Sequence, residues 1–298
     1  MSKHSPCGAI RPIPTSNTTA LLLVDNQLGY RNPSFGTPSN PDYESNITSI
    51  LSQFRSLIDI QPEGQRPCVI HVQHKSVWTD NPMHPSHVGS YGINGEQKRG
   101  IDFLEFAAPR LIRDGELKLV HTFDEPPPPP PQTAEAAEAR AGQLRKPTDE
   151  IIMTKHGHSP FINTPLEHLL NKRAIKTLLI AGLSTDGTVS TAVRMAHNLA
   201  LVGKWGGKGN IADAPDAALW TDGKGMYVTE EDAQPLEGET AEDGYLVDMP
   251  RIVLIGDATR TFGIAGVDAA VVHAVHVESL RGFAEVRTTE EVLKALNL

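Results

Sequence analysis

Cysteine is nearly missing from this chain: two residues in 298, Cys7 and Cys68. Two thiols cannot form a disulfide framework, so a reducing, cytoplasmic setting is expected. Long basic runs are missing too, and the formal charge is −9. That excludes the positive stripe that nucleic acid or an anionic membrane surface would require. No apolar stretch approaches the roughly 18 residues of a membrane span. The opening residues, MSKHSPCGAIRPIPTSN, lack the apolar centre of a conventional signal peptide. No internal repeat is visible. Hydrophobic residues nevertheless make up 39% of the chain, enough for a real core.

What is present is an alternation of strands and helices. Thr19 to Asp25 (TALLLVD) is an apolar run ending in a carboxylate, the pattern of a central parallel strand buried on both faces. Asn46 to Ile58 reads as an amphipathic helix, and Pro67 to Gln73 as a second strand. Leu117 to His121 is a short edge-like strand, and DEIIMTK (149–155) another, followed by the helical TPLEHLLNKR. Later come the strand RIVLIGD (251–257), a helix over 267–280, and a closing strand-helix pair, FAEV then TTEEVLKALNL. Such alternation implies an α/β fold, a three-layer α/β/α sandwich around a mostly parallel sheet.

Two segments break the rhythm. One, about 125–147, opens with six prolines and suits a stiff extended rod without a core. The other, about 203–249, is rich in Gly and acids, with Trp205, Trp220, Tyr227 and Tyr245 as anchors for a lid if it closes over a site. Setting both aside, with a flexible tail over 1–17, leaves a core of ordinary size. A single domain over 18–298 is expected.

The densest signal lies in AIKTLLIAGLSTDGTVSTAVRMAHNLA (174–200). A buried strand feeds the small-residue turn Gly182–Thr188, and a helix follows with Val189, Ala192, Val193, Ala196, Leu199 and Ala200 on one face. A strand entering a helix this way aims backbone N–H groups and a positive dipole end above the sheet, where ligands of doubly wound folds bind. Asp25 and Lys155 also end strands. Taken singly, each is an ordinary solvated loop residue or cap; with three strand ends meeting in one crevice, acid, ammonium and turn would face each other.

TALLLVDNQ, KHGHSPFINTPLEHLL, AGLSTDGTVSTAVRMAHNLA, IVLIGDATRTF and VVHAVHVESLRGFAEVRTTEEVL, in this order, resemble the isochorismatase-like hydrolases, also called the cysteine hydrolase superfamily. The resemblance implies a six-stranded parallel sheet and an assembly of two or more copies. It also implies an Asp/Lys/Cys triad that falls on Asp25, Lys155 and Thr188, and a non-proline cis peptide at Leu183–Ser184. Threonine therefore stands where the nucleophilic thiol should be. Cys7, in the tail, and Cys68, inside a strand, cannot replace it.

That difference has a chemical consequence. A thiol ionises near 8.5, within reach of assistance from an aspartate and a lysine; an alcohol needs a far stronger base than a carboxylate near 3.9. One branch of the family dispenses with the nucleophile. There the aspartate protonates the vinyl carbon of an enol ether, water adds, and the hemiketal collapses. Asp25 would be that acid, Lys155 its charged partner, and Gln73 a hydrogen-bonding group for substrate. The Leu183–Thr188 backbone would form an oxyanion cradle, with Leu183, Ser184 and Gly187 contacting substrate. Phe161 either walls the pocket or belongs to the core. The expected substrate is a small carboxylated or amide-bearing molecule. A silent relative kept for binding or assembly, and acyl transfer through Thr188, remain as alternatives.

No metal or other cofactor is expected. His71 and His74 are three apart, so on a continuous strand they point to opposite faces. His84 and His87 fall in a loop, and His156 and His158 flank a glycine. Asp186 is read as the helix N-cap or first-turn acid, Arg194 as an ion-pair partner, and Asp257 as a support behind the site.

Overall fold

The structure, a computed structural model, describes residues 11–110, 149–206 and 249–297. Cys7, the strand expected at 117–121, the proline-rich segment, and Trp220, Tyr227 and Tyr245 lie outside the described residues.

β1 (Thr19–Val24) is buried at every position, as its unbroken apolar run requires. α1 (Tyr43–Ile60) follows and turns Ile47, Ile50, Leu51, Phe54 and Leu57 inward at helical spacing. β2 (Cys68–His74) comes next, then a two-residue ribbon of β3 (Val88–Gly89) and β4 (Lys98–Arg99). Beyond them run β5 (Glu150–Lys155), α2 (Leu166–Lys172), β6 (Thr177–Leu183) and α3 (Ser190–Leu201). The chain closes with β7 (Arg251–Arg260), α4 (Ala269–Ser279), β8 (Glu285–Arg287) and α5 (Thr289–Leu296).

Six strands form one sheet in the order β5-β2-β1-β6-β7-β8, and every neighbouring pair is parallel. Side chains alternate strictly. Leu21, Leu23, Val69, Leu179 and Val253 pack with α1 and α5 on one face. Ala20, Leu22, Ile70, Leu178 and Ile180 pack with α2 and α3 on the other. Helices thus cover both faces, the three-layer arrangement that alternation implied. Strand order runs outward from β1 through β2 to β5 on one side, and from β6 through β7 to β8 on the other. The reversal between β1 and β6 is a topological switch point, where doubly wound sheets place their ligand crevice at the carboxyl ends of the strands.

Two readings of the chain are corrected here. Residues 11–17, expected within a flexible tail, are held: Ile13 is buried, its N–H donates to the Ala295 carbonyl at 2.9 Å, and the Thr19 hydroxyl donates to Pro14 O at 2.6 Å. Trp205, expected as a lid anchor, is instead wholly buried in the core on the α2–α3 side, with Nε1 donating to Ile175 O at 3.0 Å. An indole that finds both an apolar socket and a carbonyl partner is stable where it is.

Candidate active site

β1 delivers the first group. Its last ladder contact leaves Asp25 with φ of 49°, a left-handed conformation that Asp tolerates better than most residues. Asp25 N–H donates to Val72 O at 3.0 Å, which pins the acid beside the end of β2. β5 delivers the second. Lys155 Nζ donates to Asp25 Oδ2 at 2.7 Å and to Gly157 O at 3.0 Å. Both side chains are 1% exposed.

The third element is the elbow after β6. Gly182, with φ of 130°, lies so close to β1 that a Cβ there would stand 2.1 Å from Val24 O. Only glycine allows this approach. The Leu183–Ser184 peptide is cis. Residues 185–189 make one wide π turn, and α3 continues from it. The Gly187 and Val189 N–H groups both return to Ser184 O, at 3.2 and 3.0 Å. Those two amides are therefore occupied within the turn.

Thr188 is buried, and its hydroxyl faces Asp25 closely enough to pull that carboxyl's pKa down. Asp25, Lys155 and Thr188 are brought together. Leu183 is buried in the core on the α1 side, and Ser184 and Gly187 are half-buried. Gln73 Nε2 is committed to Ile101 O at 2.7 Å, tying down the following loop. Phe161 is packed in the core on the α2–α3 side, 8% exposed.

Electrostatics separate Asp25 from an ordinary carboxylate. Burial raises its pKa; Lys155, the Thr188 hydroxyl and His158 pull it down, and the net direction is up. Oδ1 is buried without a hydrogen-bond partner among the described residues. A buried polar atom left bare costs free energy unless something else fills the space. His74, paired with Lys155 across β2 and β5, is pushed down to about 3 by burial, Lys155 and the neighbouring histidines. It is neutral at physiological pH, and its Nδ1 is also bare.

Several residues that build the site escaped the sequence reading. Gln27 brackets two loops: Nε2 donates to His74 O at 2.8 Å and Ile101 O at 3.1 Å, and Oε1 accepts the His74 N–H at 2.7 Å. Tyr30, Phe35 and Phe262 form a ring cluster with centroids 5.1 to 5.8 Å apart. The Tyr30 hydroxyl is held well above its usual value by burial and by the charges of Asp25 and Asp186, so this cluster borders the acid. The elbow has two polar fasteners. Thr185 Oγ1 meets His273 Nδ1 at 3.0 Å, and the Thr261 hydroxyl donates to the Asp186 carboxylate. Asp186, read as an N-cap or first-turn acid, is the first-turn acid of the π turn, with Ser184 as the cap, and serves as this fastener. Arg194, read as an ion-pair partner, lies over the Phe283 ring at 4.3 Å and reaches hydroxyls of Ser190 and Ser279. Asp257 receives the N–H and hydroxyl of Thr289 at the start of α5. Only the DNQ triplet after β1 hinted at any of this, through polar residues following an apolar strand.

Cys68 lies in the core with its thiol pushed up to about 11 by burial, which makes it an inert hydrophobe. No group of three or more metal-ligating side chains occurs among the described residues. An open groove of about 590 Å³ lies at the opposite, amino end of the strands, lined by Pro12, Ile13, Leu57, Ile60, Leu296 and Asn297. It carries no titratable side chain.

An acid and an ammonium meeting under a strand-to-helix elbow, where a parallel sheet reverses its order, mark the molecule as a doubly wound α/β enzyme. The model of the isochorismatase domain matches residues 19–201, a span that contains Asp25, Lys155 and the elbow. The chain belongs to the isochorismatase family of hydrolases. It is 28% identical over 181 residues to the uncharacterized isochorismatase family protein YrdC of Bacillus subtilis, a match covering 60% of this chain and 66% of the relative's length. Solved structures agree at the level of fold. One from Chromobacterium violaceum, described as a hydrolase of the isochorismatase family, has a TM-score of 0.56 at 21% identity, covering 96% of this chain and 97% of its own. A cysteine hydrolase from Pseudomonas syringae has a TM-score of 0.52 at 16% identity, with 98% of each chain covered. No helix among the described residues is long and apolar enough to cross a membrane.

Proposed function

We propose that the protein hydrolyses a small carboxylated or amide-bearing metabolite, with Asp25 as general acid or base and no enzyme nucleophile. The observation that carries this reading is the buried Asp25–Lys155 pair, 2.7 Å apart at the head of the crevice. A general acid must keep its proton near working pH, and an adjacent ammonium works against that. Burial outweighs the ammonium at Asp25, whose carboxyl lies above its ordinary value. That direction supports an acid role.

With an enol ether, Asp25 would give its proton to the vinyl carbon, water would add to the resulting cation, and the hemiketal would collapse to two products. Lys155 would hold the carboxyl in register through Oδ2, leaving Oδ1 for the substrate. With an amide, negative charge would develop on the carbonyl oxygen. The elbow amides other than Gly187 and Val189 would meet it. Thr188, an alcohol beside a carboxylate, is poorly activated for attack but well suited to orient a water. The rings of Tyr30, Phe35 and Phe262 would supply an apolar wall. The same reading includes a cytoplasmic setting and assembly of two or more copies, which light scattering would measure.

The test compares wild type, Asp25→Asn and Thr188→Cys on isochorismate and a panel of small amides. Asp25→Asn is expected to lower turnover by about 10²- to 10⁴-fold, and Thr188→Cys to gain amidase activity. Unchanged turnover in Asp25→Asn ends the proposal. A covalent adduct at Thr188, seen by mass spectrometry during turnover, would replace it with threonine acyl transfer. Tight ligand binding with no turnover anywhere would indicate a silent relative kept for binding or assembly.

A further inference from the structure

Asp25 and Lys155 are each 1% exposed. An acid sealed in this way loses its proton to substrate once per cycle and has no direct contact with bulk water to recover it. The attacking water, meanwhile, must shed a proton as its oxygen bonds to carbon. Something at the crevice mouth has to take the second proton and return it to Asp25.

Two histidines follow Lys155. His156 is tied down, with Nδ1 hydrogen-bonded to Lys75 O at 2.8 Å. His158 is solvent-exposed, and among the described residues its ring makes no hydrogen bond. It stands directly over the elbow: a Cβ placed on Gly187 would lie 4.0 Å from His158 Nδ1. The next residue is Thr188, whose hydroxyl reaches toward Asp25. The loop holding His158 is anchored to the catalytic pair itself, because the Gly157 carbonyl accepts a hydrogen bond from Lys155 Nζ at 3.0 Å. The charged and titratable groups around His158 are Asp25, Lys155, His74 and His156.

We infer that His158 is the proton carrier of this site, joining the buried Asp25 to solvent. The inference rests on the proposed role of Asp25. Its ring accepts the proton lost by the attacking water as the C–O bond forms, then passes a proton, directly or through a bound water, to the carboxylate left on Asp25. Each cycle consumes one water and leaves Asp25 protonated and His158 neutral, as at the start. Imidazole suits the task because it exchanges protons readily near neutral pH. The glycine at 187 leaves the space above the elbow open for that transfer.

The experiment measures hydrolysis of isochorismate and the amide panel by wild type, His158→Ala, His158→Gln and Asp25→Asn, with and without added imidazole. His158→Ala is expected to lower kcat by about 10- to 100-fold with KM held within about twofold. Free imidazole should restore it in a saturable manner, while His158→Gln, which fills the space without carrying a proton, stays slow. Wild-type kcat in His158→Ala, or loss that imidazole does not rescue, overturns the carrier while leaving Asp25 in place. Unchanged turnover in Asp25→Asn overturns the underlying reading instead.

Discussion

Two ionic clusters sit on this sheet, one half-buried and one sealed, and are built on opposite principles. At the amino end of β5, Glu150 is fully furnished. Arg55 reaches both its oxygens at 2.8 and 3.0 Å, Arg110 N–H donates to Oε2 at 2.8 Å, and His71 Nε2 adds a contact at 3.2 Å. Those partners overcome burial and pull the Glu150 pKa well below its usual range. At the carboxyl end of the same strand, Lys155 meets Asp25, the residue after β1, whose carboxylate has this ammonium on one oxygen and no hydrogen-bond partner on the other among the described residues. Burial wins there, and the pKa goes up. A carboxylate surrounded by donors is structural; one kept short of them is ready to exchange a proton. β5 carries one partner of each cluster, Glu150 at its start and Lys155 at its end.

That contrast can be broken by mutation. The largest effect is expected for Asp25→Asn, which should cost about 10²- to 10⁴-fold in kcat/KM with little change in the unfolding midpoint. Glu150→Gln should do the reverse. It removes the charge that two guanidinium groups share and is expected to cost about 3 kcal/mol of stability, read by denaturant melts, with kcat unchanged. If Glu150→Gln lowered kcat as strongly as Asp25→Asn, the division between the clusters would be lost.

A backbone substitution of comparable size tests the elbow. Gly182→Ala would drive a Cβ to 2.1 Å from Val24 O at a φ that L residues avoid. A loss of roughly 3 kcal/mol or more, or failure to fold, is expected. A soluble, active, equally stable Gly182→Ala protein would mean that β1 and β6 are not apposed as described.

Acid should sharpen the comparison more gently. His71, His74 and His273 have lowered pKa values, chiefly through burial. Their unfolded forms hold protons that the native forms do not, so stability is present above the unfolded value of 6.5 and is lost as pH falls below it. Glu150 adds a second loss below its unfolded value of 4.5. Asp25, raised, has the opposite sign: as pH climbs through its range its contribution declines. Unfolding free energy measured from pH 8 to pH 3 should therefore fall in two stages. Glu150→Gln should shrink the lower stage, to which Glu105 and Glu285 also contribute, and leave the upper one.

Much of the fold was legible because burial on both faces writes itself as unbroken apolar runs. TALLLV, CVIHVQ, EIIMTK and TLLIAGL all became parallel strands, with boundaries displaced by a residue or so. The three strand-end groups were legible for the same reason, since a polar residue closing a hydrophobic run marks the sheet's working end. The polar brackets were not. Gln27 to Ile101, Thr185 to His273 and Thr261 to Asp186 join positions 74 to 88 residues apart, and nothing local in the chain records such pairings. Trp205 was misjudged because its partners, Ile175 and the core beside α2 and α3, lie about 30 residues away. His158 was passed over for a related cause. Counted as one of twelve histidines it was a candidate ligand and nothing more; its place above Gly187 depends on how β5 and β6 bring their loops together.

The most direct measurement of the central claim is the carboxyl titration itself, followed by 13C NMR in protein with labelled Asp and Glu side chains. Asp25 is expected to titrate above the ordinary aspartate value of 3.8, and Glu150 below the ordinary glutamate value of 4.5. An Asp25 carboxyl that ionised at or below 3.8 would mean that Lys155 prevails over burial, and the acid role would be contradicted.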